Sequence, residues 1–453
     1  MALDRRSFAK SLSGVMGAAL AVGSRASGAQ APATQAPAAA AATRTAGRLA
    51  PTKVTRIRLF YPQNYDRNGP QAFPQSNMVV LVDTEAGITG IGQGGSPDTI
   101  RNVARSVIGR NAFDTEMIWQ AAFMDGFYSP GKERLHALGA IDLALWDIKG
   151  KALGVPLYQL FGGKAREHIE LYATSGLPQG VVPANEAGAL TLKERAARTM
   201  AAGYRVFRVD SDILPNPGGP AGARRGPAQG GVFDSRARIP LIAEAAAQMR
   251  EGVGPDGNWM IDLHQKFDFH EAAELCRLLE PHRPFIVEDP LREEQFRTQL
   301  PKLRQLTSVP LAPGEEWGTR ADFSPLIEQR DIDFARVSLP NVGGITEMLK
   351  IMAVCDTHRV GIVPHFTGPV ATAGHMQTMM AFPGQVLMEY NQGERPVPYL
   401  PEFLECRNGK VWPNDRPGLG LAVDERQLVS VETVTQGAAG ATQRRLDGSL
   451  THW

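Results

Sequence analysis

The stretch MIDLHQKF, Met260 to Phe267, decides how this chain is read. It closes an apolar run, NWMID, on an acid, and a histidine follows one leucine later. A run of this kind reads as a short buried strand, and the polar residue at its end is the part left to face solvent or a ligand. Working outward, comparable runs recur with helical stretches between them: IELYAT, YRVFRVD, NWMIDL, PFIVED, VPLAPG, IDFARV, VGIVPH and VLMEY. Eight strands alternating with helices predict a parallel α/β barrel, in which reactive groups stand at the carboxyl ends of the strands.

The residues that close these runs form a pattern. The third run ends at Asp262, the fourth at Glu288 in IVEDP and the fifth at Glu315 in APGEEW, spaced 26 and 27 residues apart. Each spacing is one strand-helix unit, so three carboxylates project from neighbouring strands into one mouth. Three acids this close repel and raise one another's pKa values unless a cation sits between them. An all-oxygen donor set selects a hard ion, Mg²⁺ first and Mn²⁺ second. The competing reading is that each acid caps the helix after it. Asp289 and Glu316, beside two of these acids, suit capping or supporting work better.

Upstream of the barrel the rhythm differs. KVTRIRLFY and NMVVLVDTEAGITGIGQGG, from Lys53 onward, read as a meander of short strands, the second pair joined through TEAG. TIRNVARSVIGR, DTEMIWQAAFMDGF and RLHALGAIDLALWDIKGKALG follow with helical spacing, and Gly154-Val155-Pro156 stops the last of them. Strands followed by helices predict an α+β domain. With 48 basic and 47 acidic residues the formal net charge is +1, which favours neither nucleic acid nor an anionic membrane as partner. Cys276, Cys355 and Cys406 are too scattered for a disulfide framework or a zinc motif, and the first two fall in apolar helical patterns as buried thiols.

The first residues carry a different signal. Arg5-Arg6 precede Ser7-Phe8-Ala9-Lys10, a mildly apolar run from Ser11 to Gly23 and then small residues. This order is that of a twin-arginine export signal, and a periplasmic location is expected; a chance basic segment before a short helix is the alternative. The run is too short and too weakly apolar for a comfortable membrane span, so no membrane attachment is expected of the mature chain. The Ala/Pro/Thr-rich residues 31–50 read as a disordered tether.

The motifs together resemble the enolase superfamily, in its mandelate racemase and muconate lactonizing enzyme group, and within it the mannonate dehydratase branch. The resemblance runs from about Lys53 to Glu425 and rests on AIDLALWDIKGKALGVPLYQLFGG, MIDLHQKF, FIVEDPL, LAPGEEWGTR, ARVSLPNVGGITEMLKI, GIVPHFTGP and PGLGLAVDE. It implies a modified TIM barrel, (β/α)7β, under an N-terminal α+β capping domain. The expected division is an export signal over 1–30, a tether over 31–50, the capping domain over 51–165, the barrel over 166–395, and a segment over 396–453 that completes the capping domain. It also implies one Mg²⁺ held by Asp262, Glu288 and Glu315, a carboxylate substrate, and removal of the proton α to that carboxylate to give a metal-stabilised enediolate. Such a proton is too weakly acidic for a side-chain base unless a cation and hydrogen-bond donors take up the developing charge. A homo-oligomer is expected, since relatives form dimers to octamers.

His365, in IVPHF, stands where the family carries a catalytic histidine, and near-neutral titration suits it to proton transfer. His264 is the second candidate: two residues beyond Asp262, it projects to the same side if the extended backbone continues. Acid-sugar dehydratases of the superfamily resemble this arrangement, with such a histidine near the leaving hydroxyl. Arg208, in VFRVD, is similar to an arginine of the mannonate dehydratase branch, and its high pKa makes it a clamp or electrophile rather than a base. Racemase-type members place two lysines where this chain has Arg208 and Asp210. Two features depart from the family: the loop 210–238 has no tyrosine to act with that arginine, and Ser338 stands where an aspartate would partner His365, although Arg336 is kept. Glu389 in LMEYN, Asn77 before MVVLVD and Arg336 are the expected substrate contacts. His136 reads as a packed helix residue that could face the site, and Arg224-Arg225 as a solvated loop pair that could close on an anion.

The expected function is therefore that of a Mg²⁺-dependent lyase, dehydrating a sugar acid of the aldonate or aldarate kind to a 2-keto-3-deoxy acid. Racemisation, epimerisation or cycloisomerisation through the same enolate is the second reading, and an exported binding protein that has lost the chemistry is the third.

Overall fold

The computed structural model describes residues 44–45, 48–66, 74–125, 131–174, 177–178, 180–183, 186, 189–211, 214, 233–292, 297–390, 397–438 and 443–451. The residues expected to form an export signal, most of those expected to form a tether, and Arg224-Arg225 lie outside the described residues.

The capping domain is built on strands β1 (Val54–Pro62), β2 (Val79–Thr84) and β3 (Thr89–Gln93), an antiparallel meander in that order. Residues 79–84, VVLVDT, are buried throughout because both faces of the sheet are covered. Val80 and Val82 pack toward helices α1 (Pro97–Ala104), α2 (Thr115–Met124) and α3 (Lys132–Leu153), while Val79 and Leu81 join the core that surrounds the barrel. Helix α3 is apolar around most of its circumference, as a helix wedged between two layers must be. It ends where the sequence predicts, on Gly154 in the left-handed conformation, φ 71°. It also lies almost on the backbone of β3: a Cβ at Gly92 would stand 1.7 Å from the Ala140 carbonyl oxygen, and one at Gly90 2.0 Å from that of Ala144. Gly90 and Gly92 of GITGIGQ are there for this approach.

The barrel follows as β4 (Ile169–Tyr172), α4 (Leu192–Ala201), β5 (Val206–Asp210), α5 (Ser235–Val253), β6 (Asn258–Asp262), α6 (Phe269–Leu279), β7 (Ile286–Glu288), α7 (Leu300–Arg304), β8 (Leu311–Ala312), α8 (Arg320–Glu328), β9 (Phe334–Ala335), α9 (Ile345–His358), β10 (Gly361–Ile362), α10 (Pro369–Ala381) and β11 (Met388–Glu389). All eight apolar runs are strands. β5 to β8 pair in parallel in sequence order. Asp333 N–H to Leu311 O and Arg336 N–H to Pro313 O, both 3.0 Å, carry the ring to β9. β9 pairs with β10, Ile362 bridges to Val386 before β11, and β11 pairs with β4. β4 lies beside β5, which closes the (β/α)7β barrel among the described residues.

Two cores follow from the period of two in each strand. Tyr172, Val206, Met260, Ile286, Ala312, Phe334, Val363 and Leu387 fill the barrel interior as one cluster. Alternate residues such as Phe207, Val209, Ile261 and Val287 face the ring of helices. Past the barrel, the hairpin β12 (Glu405–Arg407) and β13 (Lys410–Trp412) pairs antiparallel with β4, and β14 (Leu428–Val434) returns to pair with β1. Among the described residues no helix is long and apolar enough to cross a membrane.

Candidate active site at the barrel mouth

Two residues beyond the interior apolar layer, the same faces of the strands turn polar. Val206 gives way to Arg208 and Asp210, Met260 to Asp262, Ile286 to Glu288, Phe334 to Arg336, Val363 to His365, and Leu387 to Glu389. Parallel pairing aligns Asp210 with Asp262 and Asp262 with Glu288 as direct register partners. Glu315 comes from the turn three residues after β8, where Gly314 at φ 117° redirects the chain.

Asp262, Glu288 and Glu315 each offer a carboxylate oxygen within 4.8 Å of the others. Asp262 and Glu288 are fully buried. Two buried guanidiniums thread the cluster. Arg208 bonds Asp262, the Thr174 carbonyl, and Glu288 at 3.5 Å. Arg336 bonds Glu288, Glu315 at 3.3 Å, Glu389 at 2.6 Å and the Tyr172 hydroxyl at 2.7 Å. With Glu389, four carboxylates face two guanidiniums, which leaves two negative charges in excess, the charge a divalent cation balances. The titration of the cluster carries the same imbalance. Burial pushes Glu288 well above the usual carboxylate range, and Asp262 and Glu389 add to that rise against the pull of Arg336 and Arg208. Burial also opposes ionisation of Asp262, but Arg208, His264 and Arg336 outweigh it and hold that carboxyl below its usual value. Glu288 Oε2 is buried and has no hydrogen-bond partner among the described residues. An unpaired carboxylate oxygen facing two further carboxylates fits a hard-cation ligand.

The two histidines stand at different members of the triad. His365 Nε2 is 3.5 Å from Glu315 Oε2, and its buried Nδ1 has no hydrogen-bond partner among the described residues. Burial pushes its imidazole below the usual value, with Glu315 opposing, so the ring is neutral and able to accept a proton. Ser338 is fully buried, its hydroxyl has no hydrogen-bond partner among the described residues, and it gives His365 no carboxylate. His264 reaches the cluster by another route than an extended backbone. The chain turns left-handed at His264 and Gln265, φ 45° and 57°, because the His264 N–H bonds Asp262 Oδ1 at 2.8 Å and the Gln265 N–H bonds the Asp289 carbonyl at 3.0 Å. The ring thereby lies with Nε2 at 2.8 Å from Asp262 Oδ2 and Nδ1 at 3.2 Å from Asp210 Oδ1.

Arg208, Asp262, His264, Glu288, Glu315, Arg336, His365 and Glu389 therefore share one cluster. Asn77 sits on the capping domain, at the end of the helical turn Pro74–Asn77. Its segment is tied to the barrel by Gln93, which donates to the Ser76 carbonyl at 2.7 Å and accepts from the Val370 and Ala371 N–H groups that open α10, just after His365. His136 is buried in α3 and accepts the Gly95 N–H at Nδ1, and burial lowers its pKa to about 4. Asp289 accepts the Gly314 N–H at 3.3 Å and so supports the turn that presents Glu315. Sequence reading missed Tyr172, Gln93 and Asp210 as parts of this constellation. Tyr172 and Asp210 had a signal, since each is an inward residue closing its strand run; Gln93 had none, because its partners are backbone groups on a distant helix.

Residues 191–427 match the family model described as enolase C-terminal domain-like, and residues 71–162 match that of the mandelate racemase / muconate lactonizing enzyme N-terminal domain. A D-galactonate dehydratase of Pectobacterium atrosepticum is 30% identical over 420 residues, which covers 89% of this chain and 99% of that protein. One from Xanthomonas oryzae pv. oryzae is 30% identical over 392 residues, 83% of this chain and 96% of the relative. Among solved structures, a member of the enolase superfamily from Salmonella Typhimurium superposes with a TM-score of 0.72 at 26% identity, covering 84% of this chain and all of that one. A charged cluster of this make-up at the mouth of a capped (β/α)7β barrel, with both domain models matched in order, places the chain in the enolase superfamily, in its mandelate racemase and muconate lactonizing enzyme group.

Proposed function

We propose that the chain is a Mg²⁺-dependent dehydratase of a sugar acid. The observation that carries this reading is the attachment of one histidine to each end of the carboxylate set, His264 at Asp262 and His365 at Glu315. The naming of the relatives as D-galactonate dehydratases supports it and puts aldonic acids first among substrates. Asp262, Glu288 and Glu315 would hold the ion, and when bound it takes up the negative charge that develops on the substrate carboxylate. His365, its imidazole held below the usual pKa and its side chain 26% exposed at the mouth, removes the proton at C2 through Nε2. His264 gives a proton to the departing C3 hydroxyl, so that the C2–H and C3–O bonds break, water leaves, and the enol relaxes to a 2-keto-3-deoxy acid. Arg208 and Arg336 face the carboxylate end of the substrate, Glu389 holds the Arg336 guanidinium in place at 2.6 Å, and Asn77, on the capping domain, is assigned to the far end. The twin-arginine segment at Arg5-Arg6 supports action in the periplasm.

The test is a screen of aldonic, aldaric and uronic acids with Mg²⁺, reading keto acid and deuterium uptake at C2 in D₂O. Keto-acid formation that chelation abolishes and Mg²⁺ restores is expected. Deuterium uptake without keto acid would replace dehydration by racemisation or epimerisation, and full turnover after chelation would remove the metal from the reading.

A further inference from the structure

The geometry points to Asp210 as a positioning residue for His264. This inference rests on the reading of His264 as the proton donor to the leaving hydroxyl. Asp210 closes β5 as Asp262 closes β6, and the two are register partners, so their side chains leave the sheet on the same face about one strand spacing apart. The left-handed turn at His264 and Gln265 folds the imidazole back over these two strand ends instead of carrying it outward. Positive φ at two consecutive non-glycine residues is uncommon and persists only where surrounding bonds enforce it. Here Leu263 N–H to Glu288 O, His264 N–H to Asp262 Oδ1 and Gln265 N–H to Asp289 O enforce it. The outcome is an Nδ1 held 3.2 Å from Asp210 Oδ1, with Nε2 turned to the triad.

An imidazole that works through one nitrogen needs the other held, because that bond sets both the ring plane and the position of the N–H. Among the described residues His365 Nδ1 has no such carboxylate, Ser338 standing in the place expected for one, whereas His264 Nδ1 has Asp210. Asp210 is not a member of the metal triad, so its removal leaves the three ligands in place. Its function is to hold Nδ1–H so that Nε2 delivers the proton at C3 rather than rotating away from it.

The experiment compares the wild type with Asp210→Ala and Asp210→Asn, each checked for a wild-type unfolding midpoint, in the Mg²⁺-loaded protein. The first readout needs no substrate: with ¹⁵N-labelled histidine, a slowly exchanging His264 Nδ1–H signal is expected in wild type and D210N and not in D210A. The second is the ratio of keto-acid formation to C2 deuterium uptake. D210A is expected to lose elimination by roughly tenfold to a hundredfold with a much smaller change in exchange, and D210N, whose amide oxygen accepts the same N–H, to stay within about tenfold of wild type. An unchanged His264 signal in D210A, or equal losses of exchange and elimination, overturns the positioning role. If wild type acts on no acid at all, the dehydratase reading fails separately, and the imidazole signal still decides whether Asp210 holds His264.

Discussion

Asp142, on the capping helix α3, accepts the backbone N–H of Thr346 at 2.9 Å and its hydroxyl at 2.5 Å, at the first turn of barrel helix α9. The carboxyl of one domain thus caps a helix of the other, in a fully buried position. Asp147, one and a half turns on, repeats the device by accepting the N–H groups of Ile91 and Leu419, which binds α3 to β3 and to the segment leading to β14.

A pH dependence follows from the first of these. Burial pushes the Asp142 carboxyl up to about 7, against the opposing pull of the Thr346 bonds. An acid whose folded pKa lies above its unfolded one binds the more protons when folded, so its contribution is full below about pH 4 and is lost as pH rises through about 7. Wild type is expected to lose stability relative to Asp142→Asn between pH 5 and 8, by at most roughly 3 kcal/mol, the part of this shift that lies above pH 5. Denaturant midpoints of both proteins across that range check it, and parallel curves would refute it.

Arg336 is the neutralising hub of the site, in contact with Glu288, Glu315, Glu389 and Tyr172 while 1% exposed. Truncation strands buried carboxylates, which typically costs about 3–5 kcal/mol. Arg336→Met is expected to lose that much unfolding free energy without metal and less with saturating Mg²⁺, which takes over part of the neutralisation. Arg336→Lys should fall between, because one ammonium cannot span three directions as a planar guanidinium does. Chemical denaturation with and without Mg²⁺ reads both, and metal-independent loss in R336M would contradict the shared charge balance.

The barrel was legible because it repeats. Eight apolar runs at unit spacing, each closed by a polar group, name both the strands and the end at which chemistry gathers, and the period of two carries Met260 to Asp262 and Ile286 to Glu288. The continuous burial of VVLVDT was less so, since nothing local says that both faces of β2 are covered. The turn at His264 and Gln265 was not legible at all. Neither residue type favours positive φ as glycine does, and the bonds that impose it come from Asp262 and Asp289. For the same reason the expectation of an extended chain through His264 named the right neighbour, Asp262, by the wrong path. Asp210 was legible as the residue in place of a racemase-type lysine but not as a partner of His264, because the turn that brings the two together is not visible in the sequence.

The two histidines should separate into two half-reactions. His365 is neutral through burial and sits at Glu315, while His264 lies between Asp262 and Asp210, so the first is arranged to take a proton and the second to give one. His365→Asn is expected to abolish both C2 deuterium uptake and keto-acid formation, by at least about a hundredfold each, the usual weight of a positioned base. His264→Asn is expected to keep uptake within roughly tenfold of wild type while keto-acid formation falls about a hundredfold or more, since abstraction at C2 precedes departure of the C3 hydroxyl. Incubation of each variant with Mg²⁺ and an active acid in D₂O, followed by NMR of the recovered substrate and assay of keto acid, gives both numbers from one sample. The reverse pattern, uptake lost in H264N and kept in H365N, would exchange the two assignments. Loss of both activities in both variants, with Mg²⁺ affinity unchanged, would mean that proton removal and hydroxyl departure occur in one concerted step.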